Sequence, residues 1–313
     1  MTDLPPLHGA VAAHPRTGRL AGCGTALVTP FTDDGDVDER ALGELVEWQI
    51  AEGVHFLVPC GSTGEAATMP PEEQARVVRV VAERAAGRVP VMAGAGSNDT
   101  RRAMQLSALM EEAGATHLLH VSPMYNKPPQ RGIVEHFRAI VDATPLPVVV
   151  YNVPGRTGSN VEARTALALA SLPNIVGIKE ASGNLAQIHE ILLHRPRHFS
   201  VLSGDDALTL AVMAAGGDGV ISVVSNATPR AMATLVERAA EGDFAAARAL
   251  HERLSPWMGA AFVESNPIPV KGALAMMGRI ANVLRLPLVP LDERFAPTVR
   301  AALEAAGALG AAA

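Results

Sequence analysis

The amino-acid sequence predicts an α/β fold, a (β/α)8 TIM barrel with a C-terminal helical extension, and three observations carry that expectation. From residue 22 onward, short apolar, β-branched runs alternate with longer amphipathic segments, the pattern of repeated βα units and a parallel sheet. Eight such runs recur at intervals of roughly 20 to 35 residues, which favours closure into a barrel over an open, doubly wound sheet. Several of these runs end on clusters of unusual polar residues, and in such barrels the chemistry lies at those C-terminal ends.

The elements follow in order. Segment 1–21 contains Pro5, Pro6 and Pro15 but no basic start followed by an apolar stretch, so it reads as a disordered N-terminal arm and not as a secretion signal. The barrel is expected over 22–241. Its strands fall near Gly24 to Thr29, Phe56 to Cys60, Pro90 to Ala95 and His117 to Ser122, then Pro147 to Asn152, Ile175 to Lys179, Ser200 to Ser203 and Gly219 to Val223. Helical periodicity lies between them, for example over Glu39 to Ala51, Pro71 to Ala86, Arg101 to Ala113 and Pro229 to Ala240. The remainder, 242–313, is helical by pattern, shows no convincing strand, and is interrupted at Pro256, Pro267, Pro269, Pro287 and Pro290.

Composition narrows the function classes. An apolar content of 48% with 19% charged residues describes a chain with a large core. The formal charge of -6 gives no basic field for nucleic acid. The longest apolar runs, such as Leu146 to Tyr151 with its internal proline, fall short of the roughly 20 residues a spanning helix needs. Cys23 and Cys60 are expected as reduced thiols in a cytoplasmic protein.

Of the 26 basic residues only Lys127, Lys179 and Lys271 are lysines, and Lys179 ends an otherwise apolar strand. An amine can lose its proton and attack a carbonyl, which a guanidinium cannot do. Burial would lower its pKa from about 10.4 toward the range suited to catalysis. A structural ion pair with Glu180 is the other reading, although adjacent strand residues point to opposite faces. The chain has only two tyrosines, Tyr125 and Tyr151, both at strand ends; each could pass protons or merely pack. Gly61-Ser62-Thr63-Gly64 offers two hydroxyls and accessible backbone N–H groups for a small carboxylate, or is an ordinary turn. Arg156 could grip a second carboxylate or make a surface ion pair. The run from His189 to His194 has one residue too many for a zinc H-E-x-x-H, and Gly94-Ala95-Gly96 lacks the third glycine of a dinucleotide fingerprint.

Taken together, Gly61-Ser62-Thr63-Gly64-Glu65, Tyr151 to Gly158, Gly177-Ile178-Lys179-Glu180-Ala181 and Ser203-Gly204-Asp205-Asp206 closely resemble the pyruvate-dependent class I aldolases of the dihydrodipicolinate synthase and N-acetylneuraminate lyase family. The likeness runs from about Gly24 to Ala302. It implies an imine between Lys179 and the keto carbon of pyruvate, with no metal or organic cofactor. It further implies Tyr151 as proton donor and acceptor, Ser62 and Tyr125 completing a proton relay, Thr63 binding the pyruvate carboxylate, and Gly204 and Ile221 lining the pocket.

By the same resemblance Tyr125 enters a neighbouring subunit's site, in a homotetramer built as a dimer of dimers. Arg156 and the segment Phe262 to Lys271 resemble the synthase branch, which condenses pyruvate with L-aspartate 4-semialdehyde for lysine and diaminopimelate biosynthesis; Lys271 reads there as structural. Ser62 stands where synthases usually carry threonine. Pro71, Gln74, Arg102 and Met124 replace the polar and aromatic residues of the lysine feedback site, implying weak or absent inhibition. The alternatives are another pyruvate lyase, aldolase or dehydratase acting on a sugar acid or hydroxy-oxo acid, and a non-catalytic ligand-binding barrel.

Overall fold

The structure is a computed structural model that describes residues 19–310. Its first half runs β1 (Gly22–Ala26), α1 (Glu39–Ala51), β2 (Phe56–Val58), α2 (Pro71–Ala85), β3 (Met92–Gly94), α3 (Thr100–Glu112), β4 (His117–Val121) and α4 (Gln130–Asp142). The barrel continues with β5 (Val148–Asn152), α5 (Pro154–Thr157), α6 (Ala163–Leu169), β6 (Ile175–Glu180), α7 (Leu185–His194), β7 (Ser200–Ser203), α8 (Thr209–Ala214), β8 (Gly219–Ser222) and α9 (Pro229–Glu241). Three further helices follow, α10 (Phe244–Ala260), α11 (Ile268–Met276) and α12 (Ala296–Ala306).

All the strand pairings in the sheet are parallel, in the order β2-β1-β8-β7-β6-β5-β4-β3, and a parallel bridge between Leu57 and Val91 joins its two ends. The sheet therefore closes on itself as a barrel. Strand alternation divides the core in two. Inward-facing Phe56, Val58, Met92, Leu119, Val149, Leu202 and Ile221 fill the barrel interior. Outward-facing Leu57, Val150, Ile178, Val201 and Val220 pack beneath the helices.

The helices begin where the chain offers a cap. Asp38, Asp99, Asn184 and Asp243 each accept a backbone N–H of the first turn of α1, α3, α7 and α10, and α2 and α9 open on proline. The eight expected strands are all present, with ends shifted by up to three residues. Three features differ from the sequence-based expectation. Pro154 to Thr157 forms one helical turn directly after strand five, a helix that the sequence pattern did not place. Pro256 does not interrupt its helix, because α10 continues through it. Fully buried Trp257 donates its indole N–H to the Val224 carbonyl at 3.1 Å, and that packing outweighs the missing backbone donor. Of the arm expected over 1–21, residues 1–18 lie outside the described residues. Residues 19–21 already pack on the barrel: Arg19 pairs with Asp218 at 2.9 Å, and Leu20 and Ala21 are buried.

Cys23 and Cys60 are free and buried, with burial pushing both thiols up. Among the described residues no helix is long and apolar enough to cross a membrane.

Gly94 makes a very close strand approach beside the loop after β2, since a Cβ there would stand 2.0 Å from the Cys60 carbonyl oxygen. Gly94→Ala is expected to lower stability by about 3 kcal/mol in denaturant unfolding, toward the upper end of overpacking costs. Gly259→Ala at an exposed position of α10, where nothing lies within 4 Å, serves as the control and is expected to be neutral or slightly stabilising.

Candidate active site

The site is built on the register between β5 and β6, where Tyr151 and Lys179 are directly paired Cα partners. In a parallel pair such partners point to the same face, and here that face is the barrel interior. The Lys179 ammonium group lies 4.4 Å from the centroid of the Tyr151 ring. The strand end is fixed from both sides, because Ala181 N–H donates to Asn152 O at 2.8 Å and Gly204 N–H donates to Glu180 O at 2.7 Å.

Lys179 makes no ion pair with Glu180. The Glu180 side chain points outward and is buried among neutral donors: Asn152 Nδ2 at 3.0 Å, Gln187 Nε2 at 2.8 Å and Ser182 N–H at 2.7 Å. Lys179 itself is only 5% exposed and donates no hydrogen bond to an acceptor among the described residues. Desolvation lowers its pKa to about 8; the buried Asp206 carboxylate opposes that shift and the Arg156 charge adds to it.

Gly204 leaves the room that the amine needs. A Cβ at this position would lie 2.6 Å from Ala181 Cβ and 3.0 Å from Lys179 Cε. Ile221 is fully buried in the same interior cluster as Tyr151. Burial also raises the Tyr151 hydroxyl above its ordinary pKa, while the Arg156 charge and a hydrogen bond with Ser62 draw it partly back.

The loop after β2 brings Ser62 and Thr63 to this mouth. Neither residue's N–H is spent on an acceptor among the described residues. Cys60 and Glu65, which flank the loop, both take positive φ, 56° and 54°. Such strain in non-glycine residues persists only where surrounding contacts hold it, and it concentrates at functional sites.

Arg156 sits on α5, exposed at the rim, with Nη2 donating to the Asn266 carbonyl at 3.3 Å. Tyr125 is not brought into the site of its own chain. It is 88% exposed, its φ is 72°, and its N–H donates to Thr157 O at 3.1 Å.

Two residues with no role assigned from sequence belong to the site. Asp206, 2% exposed, places a carboxylate near Lys179 while its Oδ2 accepts the N–H groups of Val223 and Val224 at 3.0 and 3.1 Å. Its only sequence signal is the acidic pair closing strand seven. Asn266 donates from Nδ2 to Thr63 Oγ1 at 2.8 Å, and its buried Oδ1 has no partner among the described residues. It lies 203 positions from Thr63, and no local pattern connects the two. The arrangement can form a carbon–nitrogen bond from a dry amine, move protons through adjacent hydroxyls, and hold carboxylates at a loop and at a guanidinium.

Comparison with known proteins agrees with this chemistry. Residues 19–306 match the model of the dihydrodipicolinate synthetase family. The 4-hydroxy-tetrahydrodipicolinate synthase of Prosthecochloris aestuarii is 48% identical over 289 residues, covering 92% of this chain and 97% of the relative. That of Koribacter versatilis is 50% identical over 287 residues, covering 91% and 94%. Among solved structures, the chloride-inhibited dihydrodipicolinate synthase of Acinetobacter baumannii complexed with pyruvate superimposes with a TM-score of 0.91 at 42% identity, covering 92% of this chain and 99% of the other.

The amine's environment fixes a pH dependence. The native chain gives up the Lys179 proton near pH 8 and the unfolded chain near about 10.4, so burial of the ammonium counts against the fold below 8 and is relieved as pH rises through that window. Acylation of Lys179 by an amine-selective reagent, followed by mass spectrometry, should show a midpoint near pH 8. Asp206→Asn removes the charge that favours the ammonium and should move the midpoint lower. A midpoint near about 10.4 would show that the amine is not desolvated.

Proposed function

Because the chain belongs to the dihydrodipicolinate synthetase family, we propose that it condenses pyruvate with L-aspartate 4-semialdehyde to 4-hydroxy-tetrahydrodipicolinate, as a Schiff-base lyase. The observation that carries this reading is the dry Lys179 amine held against Tyr151 at the mouth of the barrel. The free amine attacks the keto carbon of pyruvate, and loss of water gives the imine. The proton leaving the amine and the proton needed by the departing hydroxyl pass through Tyr151, whose hydroxyl is linked to Ser62.

The protonated imine acts as an electron sink. The former methyl group loses a proton to become the nucleophilic carbon of an enamine, which attacks the aldehyde. The amino group of the aldehyde substrate then displaces Lys179 from the imine carbon, closing the ring and restoring the amine. Every step is proton transfer, loss of water, or formation and exchange of carbon–nitrogen and carbon–carbon bonds, with no net change of oxidation state, so the residues named here supply its chemistry without a redox partner.

Thr63 and the open N–H groups of Ser62 and Thr63 receive the pyruvate carboxylate. Arg156 receives the carboxylate of the aldehyde substrate with its planar fork. Gly204 and Ile221 shape the pocket wall beside the imine. Tyr125, exposed on a strained backbone beside the mouth, reaches the site of a neighbouring subunit in a homotetramer, where it extends the relay from Ser62. Feedback by lysine is weak or absent: Gln74 spends its amide on the carbonyls of Ala66 and Met69, and Arg102 brings an exposed cation to the region.

Arg156 separates this condensation from reactions of pyruvate with uncharged aldehydes. In Arg156→Ala, kcat/KM for aspartate 4-semialdehyde is expected to fall by about 100-fold, the loss of a charge-assisted bidentate contact, while pyruvate still forms its adduct on the enzyme. Near wild-type turnover of the semialdehyde in that variant would rule out the assigned role.

A further inference from the structure

The second buried lysine, Lys271, lies in the C-terminal extension on α11 and is absent from the mechanism above. It is fully buried. Its Nζ donates to the Glu65 carboxylate at 2.6 Å and to the Thr29 carbonyl at 2.9 Å, and lies 4.2 Å from the Phe31 ring centroid. The other Glu65 oxygen accepts the backbone N–H of Arg285 at 3.1 Å. The Arg285 guanidinium makes two bonds to Glu73, at 2.5 and 2.7 Å, and donates to Gly35 O and Thr68 O. Glu65 is thus held between two groups of the C-terminal extension.

Glu65 closes the loop that carries Ser62 and Thr63. The loop has glycine at positions 61 and 64, so its own sequence does little to fix its shape. Two turn bonds within it, Gly64 N–H to Gly61 O at 3.1 Å and Glu65 N–H to Ser62 O at 3.2 Å, are joined by contacts from outside: Thr29 Oγ1 donates to Gly64 O at 2.7 Å, and Asn266 Nδ2 donates to Thr63 Oγ1 at 2.8 Å. Thr29 therefore contacts both the loop and Lys271, through its hydroxyl and its carbonyl.

A fully desolvated ion pair is a poor source of net stability, since apolar residues of similar volume often do as well. A carboxylate and an ammonium in fixed hydrogen-bond geometry nevertheless define position far more narrowly than an apolar contact does. From this geometry, and resting on the pyruvate-binding role given above to Ser62 and Thr63, we infer that Lys271 is a positioning residue: through Glu65 it fixes the Gly61–Glu65 loop in the conformation that receives the substrate carboxylate. Lys271 touches no reacting atom. The C-terminal extension thereby takes part in substrate binding from outside the barrel.

The test compares wild type, Lys271→Met, Glu65→Asp and the double variant Lys271→Met/Glu65→Gln. Each is assayed for pyruvate KM, for kcat at saturating substrates, for borohydride trapping of the pyruvate adduct, and for Tm. Lys271→Met should raise the pyruvate KM by about tenfold or more, with kcat at saturating pyruvate changed less than about threefold, the signature of lost ground-state positioning. Glu65→Asp keeps the charge but retracts it by one methylene, and should raise the same KM with the fold retained. The double variant removes both buried charges together, so it should recover Tm relative to Lys271→Met while the pyruvate KM stays raised, because the fixed contact that positions the loop is still missing.

A pyruvate KM within about twofold of wild type in a folded Lys271→Met or Glu65→Asp protein overturns the inference, as does a loss of Tm or kcat with KM unchanged. Should Lys271→Met fail to fold, Glu65→Asp and the double variant decide the question by the same criteria. Failure of the underlying pyruvate reading appears separately, as a wild-type protein that traps no pyruvate.

Discussion

The chemistry proposed for this protein depends on keeping one amine dry and unpaired. The chain buries two lysines, and desolvation lowers the pKa of both to about 8. They differ in what surrounds the nitrogen. Lys271 is committed to a carboxylate and a carbonyl, so releasing its proton would strand Glu65 in the core. Lys179 faces an aromatic ring and the charge of Asp206 without a direct ion pair, and its proton can leave at little cost to its neighbours. The same burial thus accompanies an amine without an ion pair in one place, the proposed nucleophile, and a committed ion pair in the other. The difference lies in hydrogen-bond geometry.

That geometry follows from the barrel. Alternation along β6 sends Lys179 inward and Glu180 outward, and Glu180 is satisfied by the amides of Asn152 and Gln187 and by Ser182 N–H instead of by a cation. A carboxylate beside the amine would raise its pKa; a carboxylate turned to the opposite face does not. Direct register between Tyr151 and Lys179 sets phenol and amine side by side without any loop having to be ordered first. The loops that complete the site are where the strained backbone gathers, at Cys60, Glu65, Tyr125 and Lys127.

Much of this was legible in the sequence because it is local or periodic. Eight apolar runs marked eight strands, α1 was read to the residue, and Lys179 stood out as a lysine among arginines on an apolar strand. Ser62, Thr63 and Tyr151 could be named from short motifs that lie at strand ends. Partnerships across long separations left no such trace. The contact of Asn266 with Thr63 spans 203 positions and that of Lys271 with Glu65 spans 206, and neither residue pair has a spacing that predicts the other. Pro256 misled for a related reason, since the tertiary contact of Trp257 with Val224 decides the course of α10 and the local rule for proline cannot see it. The C-terminal extension reads as an appendage in the sequence, yet it reaches back, through Lys271 on α11 and Asn266 in the connection before it, to hold the loop after β2 and the guanidinium of Arg156.

The central claim is that Lys179, and no other amine, forms the covalent bond with pyruvate. Incubation with pyruvate, reduction with borohydride and peptide mapping by mass spectrometry address it directly. The expected result is one reduced adduct on the peptide containing Lys179, none on Lys127 or Lys271, and none anywhere in Lys179→Ala. An adduct on another lysine, or a wild-type protein that traps no pyruvate at all, would contradict the account.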